Sequence, residues 1–165
     1  MLNKFGNINN INEIPKIKKI IFLFSLKKLE ELDDVQIYNS FYFFKFFLGR
    51  NAFFSKSKSF FSLGKWHYNL NIQLILNDQK GIYSLFFYFL NNVFFTIEKS
   101  FIRKGFFSKK LNIFYFILKD MNFFSEIKNN LGLFNLKSPL ILNIYLLGAD
   151  SKRSVLFLKN LKVYP

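Results

Sequence analysis

The sequence predicts an α+β fold: a sheet of mostly antiparallel strands with helices packed against one face. Three observations lead to this expectation. Short runs of Ile, Leu and Phe have the length and alternation of half-buried strands, and longer stretches between them repeat at helical period. The elements run strand, helix, strands, helix, strands, strand, helix, an order that sets helices against a sheet. The 165 residues suit one domain, long enough to bury a core without disulfides or metal.

Taken in order, residues 1–14 are Asn-rich and polar and read as an irregular arm, leaving 15–165 as a single domain. Pro15 introduces KIKKIIFLF, where Lys16 and Lys18 flank Ile17 before an apolar run, which reads as a strand. Leu26 to Leu48 has helical spacing through Leu29, Leu32, Val35 and Gln36. Its acidic cluster Glu30, Glu31, Asp33 and Asp34 suits the positive end of a helix dipole and reads as a solvated face, and Gly49 is a natural terminator. Arg50 to Lys65, RNAFFSKSKSFFSLGK, mixes small, hydroxyl and basic residues and is expected to run from strand to loop. Asn71 to Asn77 alternates as a strand, and a turn at Asp78 to Gly81 leads into an amphipathic helix over Ile82 to Ile97. LNIFYFILKD, within Lys109 to Ile127, and LILNIYLL, Leu140 to Leu147, read as strands. Asp150 or Ser151 caps a last helix that carries Val155, Leu158 and Leu161 on one face.

Lys and Arg total 24 against 10 Asp and Glu, a formal net charge of +14, which calls for a polyanionic partner. With no Cys and a single His, thiol chemistry, Cys-ligated zinc and a His-based acid–base pair have no residues to work with. No phosphate loop or nucleophile elbow is present either, so we expect no enzyme, no catalytic residue, no metal site and no cofactor. The 26 Phe, with abundant Asn, Lys, Ile and Leu, share codons rich in adenine and thymine, as in a compact organellar genome. Most of these Phe are therefore expected to stand in for aliphatic core residues rather than to stack on bases.

The hydrophobic content of 51% makes a small basic organellar membrane protein the competing expectation. The best candidate span, Ile82 to Ile97, falls short of the ~20 residues a bilayer requires. A polar stripe of Ser84, Tyr88, Asn91, Asn92, Thr96 and Lys99 also runs along it, so no membrane span is expected. MLNKFGNINNINEIPK contains no apolar signal core, in keeping with synthesis inside an organelle, the mitochondrion first and the plastid second.

Five segments, in order and at nearly matching separations, resemble the family of ribosomal protein five of the large subunit across nearly the whole chain. EIPKIKKI is similar to the family's valine–proline–basic–isoleucine strand, and LGRNAFFSKSKSFF to its Gly-Gln-Lys-Pro and Thr-Lys-Ala-Lys segment, with Gly49, Lys56 and Lys58 in register. Tyr83, Leu85, Phe86, Phe89 and Asn91 follow its middle helix, FFSEI its Phe-Pro-Glu-Ile ending, and Val163, Tyr164 and Pro165 its apolar-Pro tail. Departures include Phe24, Ser25 and Leu26 in place of a Gly-rich turn and GFFSKKLN in place of a Gly- and Arg-rich loop.

The resemblance implies a structural protein of the central protuberance of the large ribosomal subunit. Its partners would be large-subunit rRNA, including 5S rRNA where that ribosome has one, P-site tRNA, and neighbouring ribosomal proteins with a bridge partner on the small subunit. On this mapping Lys16, Lys18, Arg50, Asn51, Ser55, Lys56 and Lys58 bind rRNA, and Lys65, Trp66, His67 and Tyr68 form the tip of a tRNA-contacting loop.

Overall fold

Strand formation begins where β-branched and aromatic residues first accumulate. The computed structural model describes residues 14–26, 34–60, 66–88, 106–108, 111–118, 136, 139–147 and 151–160. Its elements are β1 (Lys16–Ser25), α1 (Asp34–Leu48), β2 (Phe53–Phe60), β3 (Trp66–Leu76), α2 (Gln79–Tyr88), β4 (Phe106–Ser108), β5 (Ile113–Leu118), β6 (Leu140–Leu147) and α3 (Ser151–Asn160). The strands form one six-stranded sheet in the order β2-β3-β1-β6-β5-β4, so β2 and β4 are its edges. Among the described residues this is the expected α+β architecture, six strands in one open antiparallel sheet with three helices. The expected arm at 1–13, the acidic cluster at Glu30, Glu31 and Asp33, and Leu161 lie outside the described residues.

Chain contacts divide these elements into two compact units. One holds the end of β1 with α1, β2 and β3; the other holds the start of β1 with α2, β4, most of β5 and β6, and α3.

In the first unit, Phe22 and Phe24 point to one side of β1 and are fully buried, as are Phe43 and Phe44 of α1. The Phe24 ring meets Phe43 at 5.4 Å and 82° and Phe44 at 5.2 Å and 55°, which docks the helix on the strand. Ser40 is buried on the same helix and donates its hydroxyl to the Gln36 carbonyl at 2.7 Å, so this small polar side chain is satisfied within α1. The helix ends where expected: Gly49 has φ +61°, the left-handed conformation that follows a helix C-terminus and that side chains with a Cβ resist. β2 and β3 pair antiparallel from Phe53↔Gln73 to Phe60↔Trp66, and Ile72 and Leu74 of β3 are buried. Leu26 N–H donates to the Leu70 carbonyl at 3.0 Å, tying the residue after β1 to β3.

In the second unit the core comprises Ile17 and Ile20 of β1, Ile82 and Phe86 of α2, Ile113, Phe114 and Phe116 of β5, Leu142, Ile144 and Leu146 of β6, and Leu158 of α3. Ile82 and Phe86, four apart, put one stripe of α2 inside; Ser84 of the expected polar stripe is exposed, and the apolar Phe87 and the Tyr83 ring are exposed beside it. α2 is described as far as Tyr88, and the remainder of the expected Ile82–Ile97 helix lies outside the described residues. β4 has no counterpart among the expected strands. It pairs antiparallel with β5, Phe106↔Tyr115 to Ser108↔Ile113. Just before β5, Asn112 adopts φ 53°, donates its side-chain amide to the Leu146 carbonyl at 3.3 Å and accepts the Leu146 N–H on its own carbonyl at 3.0 Å. A residue that tolerates the left-handed region is thereby fastened to β6 through both side chain and backbone. Among the described residues, no helix is long and apolar enough to cross a membrane.

The turn expected at Asp78 to Gly81 is the helix start itself. Gly81 N–H donates to Asp78 Oδ2 at 2.8 Å and Ile82 N–H to the Asp78 carbonyl at 2.9 Å, which makes Asp78 the N-cap of α2. Asp78→Ala should cost about 1 kcal/mol of stability, and Asp78→Ser should recover most of it. Denaturant unfolding midpoints of the three proteins check this.

Candidate nucleic-acid interface

Of the residues expected to bind rRNA, five fall in the unit containing α1, β2 and β3. Arg50 and Asn51 follow the Gly49 turn directly and are exposed. Ser55, Lys56 and Lys58 lie on β2. Because positions alternate across a strand, 54 and 56 share one side of β2, and Ser55 occupies the other, opposite Asn71 of β3. Lys56 is exposed and Ser55 half-buried. Lys16 and Lys18, both exposed on β1 with buried Ile17 between them, belong to the other unit.

The expected tRNA-facing loop requires revision. Trp66, His67 and Tyr68 are not a loop tip; they open strand β3, opposite Phe60, Ser59 and Lys58 respectively. Lys65 lies outside the described residues. The physical reason is strand propensity: Trp and Tyr favour extended backbone, and β2 continues far enough to supply partners for all three residues. The lack of hydrophobic alternation in KWHYN hid a strand that the residue types themselves favour.

The structure adds residues to those expected. Lys45, in the last turn of α1, donates from Nζ to Asn51 Oδ1 at 3.2 Å, which brings an ammonium and an amide together at the negative end of the helix. Beside them a shallow groove of about 270 Å³ is lined by Tyr38, Phe41, Tyr42, Lys45, Asn51 and Ala52. The Phe41 ring reaches the Phe54 ring at 5.0 Å and 78°, joining the groove wall to the side of β2 that carries Lys56. Tyr38 is 72% exposed and Phe46 52%. The available signal was the step of three or four from Val35 to Tyr38, Tyr42 and Phe46. In a helix this rich in aromatics, that step marks the outer face as readily as the inner one.

Near the start of β1, Lys19 places Nζ 4.3 Å from the centre of the Tyr145 ring on β6, a cation–π contact within the second unit. Burial, reinforced by the neighbouring Tyr115 phenol, pushes the Tyr145 phenol above its ordinary value. Among the described residues, no group of three or more His, Cys, Asp or Glu could hold a metal ion.

No family model matches the chain, and no curated protein matches it. Among solved structures, it is similar to a DUF54 protein from Methanothermobacter thermautotrophicus at 11% identity, with 90% of this chain and 98% of that chain covered and a TM-score of 0.50. A DUF54 protein from Archaeglobus fulgidus aligns at 15% identity over 88% of this chain and 99% of its own, with a TM-score of 0.42. At such identity, the first likeness concerns the fold alone.

The surroundings of Tyr145 bear on stability at alkaline pH. Because its folded pKa is raised, the folded state keeps the phenolic proton longer than the unfolded chain. The corresponding stability is fully present below the unfolded value of about 10 and is lost as pH rises through the folded one. Tyr145→Phe should therefore lose less stability than the parent protein between about pH 8 and about pH 11, as read from denaturant midpoints.

Proposed function

We propose that this chain is a non-enzymatic structural constituent of the large subunit of an organellar ribosome, the mitochondrial one in the first instance. It would bind rRNA in the central protuberance, 5S rRNA included where present, and contact P-site tRNA and neighbouring ribosomal proteins. One observation carries the reading: a chain of net charge +14 places Lys56 and Lys58 two residues apart on edge strand β2, close in sequence to Arg50, Asn51 and Ser55. Ammonium groups at that spacing on an extended strand suit successive phosphates, and hydroxyl and amide side chains suit sugar and base edges. The ordered resemblance to ribosomal protein five, rather than the fold alone, is what specifies the large subunit.

The tRNA contact then rests on the start of β3, from Trp66 to Tyr68, with Lys65 just before it. Two aromatic residues and a His in succession are suited to stacking on a tRNA sugar or base.

The competing reading, a small basic membrane protein, draws on the 51% hydrophobic content. Alkaline carbonate extraction of organelles followed by gradient sedimentation separates the two. The ribosomal protein leaves the membrane and travels with the large subunit; retention in the lipid pellet would falsify the assignment. At the level of residues, replacing Lys56 and Lys58 together with Ala should weaken rRNA binding. It should also reduce the slope of log affinity against log salt by roughly 0.9 for each lost phosphate contact, with duplex DNA as the reference. A slope equal to that of the parent protein would remove both lysines from the interface.

A further inference from the structure

We propose that the groove beside the C-terminal half of α1 holds an unpaired RNA base, stacked against Tyr38 and Tyr42, read at its edge by Asn51 and tethered through its phosphate by Lys45. The inference rests on the RNA-binding reading above and gives that surface a ligand class, single-stranded rather than duplex RNA.

Three features converge on this groove. Its walls are aromatic on the helix side, where Tyr38 is 72% exposed and Tyr42 41% exposed, four residues and one turn apart. Exposed rings at that spacing form a platform on which a base can stack whatever its identity. Its far side is formed by Asn51 and Ala52. Lys45 uses Asn51 Oδ1, which leaves the NH₂ end of the Asn51 amide to donate to an acceptor on a base edge. The charge around it is positive: Lys45 lines the groove, Arg50 precedes Asn51, and Lys56 lies two residues beyond Phe54, whose ring touches the groove residue Phe41. Within α1, the acidic Asp34 stands a full turn before Tyr38, at the opposite end of the helix from Lys45.

An apolar protein partner would be served by the rings but not by this cationic margin, whereas a nucleotide uses both. Bases inside a duplex are already stacked and cannot reach rings on a helix surface, so the partner must be a loop, bulge or single strand.

The test uses the full chain, a short oligouridine strand, and an RNA duplex of equal length. The protein should bind the single strand, and Tyr38→Ala should weaken that binding about tenfold with the salt slope unchanged, because a stack releases no counterions. Tyr38→Phe should keep the affinity, since the ring supplies the stack. Lys45→Ala should instead flatten the slope by roughly 0.7, the value for one phosphate of a single strand. Tyr38 is exposed enough for its truncation to spare the fold, and circular dichroism melting of each variant verifies this.

Full single-strand affinity in Tyr38→Ala, alongside weakened binding in Lys45→Ala, overturns the stacking site and leaves the RNA-binding reading in place. The stacking site is overturned equally if the tyrosine variants bind RNA normally but release a protein that co-purifies with the parent chain. Failure of the parent protein to bind either RNA at low salt overturns both.

Discussion

The position of the Phe24 ring against Phe43 and Phe44 determines which way α1 faces, and the candidate interface depends on that rotation. α1 carries Ile37, Tyr38, Phe41, Tyr42, Phe43, Phe44, Phe46 and Phe47, so it is apolar almost all the way round. Periodicity alone cannot choose an inner face for such a helix. Edge-to-face and tilted ring contacts can, because each adds about 0.5–1.5 kcal/mol beyond the area it buries and each is satisfied in only one orientation. Phe22 adds a further edge contact to Phe44 at 6.4 Å and 72°. Ser40 contributes by being small and by bonding its own backbone, which lets it enter the buried face without an unsatisfied hydroxyl. With Phe43 and Phe44 turned in, Tyr38 and Tyr42 are turned out, and Lys45 is brought to Asn51.

Much of the fold was legible because its strands and caps use strong local chemistry. Leu140–Leu147 forms a strand with the boundaries expected from its run of Leu and Ile, and its burial alternates along its length. Gly49 marks a helix end through a backbone requirement that few residues meet, whereas Asp78, expected in a turn, proves to be the cap that starts α2. The Phe enrichment fills the core at Phe22, Phe24, Phe114 and Phe116, as its aliphatic stand-in role implies. Yet Phe46, Phe53, Phe54 and Phe87 are exposed, since a compositional bias places Phe on outer faces as well.

The candidate site was legible only where charge announced it. Arg50, Asn51 and Lys56 stood out as basic or polar residues in an aperiodic stretch, and they are exposed. Tyr38 and Tyr42 did not stand out, because their outward direction is set by ring packing on β1, a tertiary contact between residues distant in sequence. Trp66 to Tyr68 depart from the expected loop for a related reason. Whether a non-alternating stretch is strand or loop depends on whether a neighbouring chain segment offers a ladder, and β2 does.

The two edges of the sheet have a further bearing on the life of the free protein. An open edge is a template for another chain, and in a protein with 26 Phe and strands such as IFYFIL, adventitious pairing would lead to aggregates. Among the described residues, β4 offers Phe106–Ser108 alone. β2 is longer, and its defence is electrostatic: Lys56 and Lys58 repel a second copy approaching in register. On the function proposed above, a polyanion bound at these lysines would neutralise that charge. On that reading, the charges that keep the free protein from pairing along β2 are the same ones that would attach it to RNA.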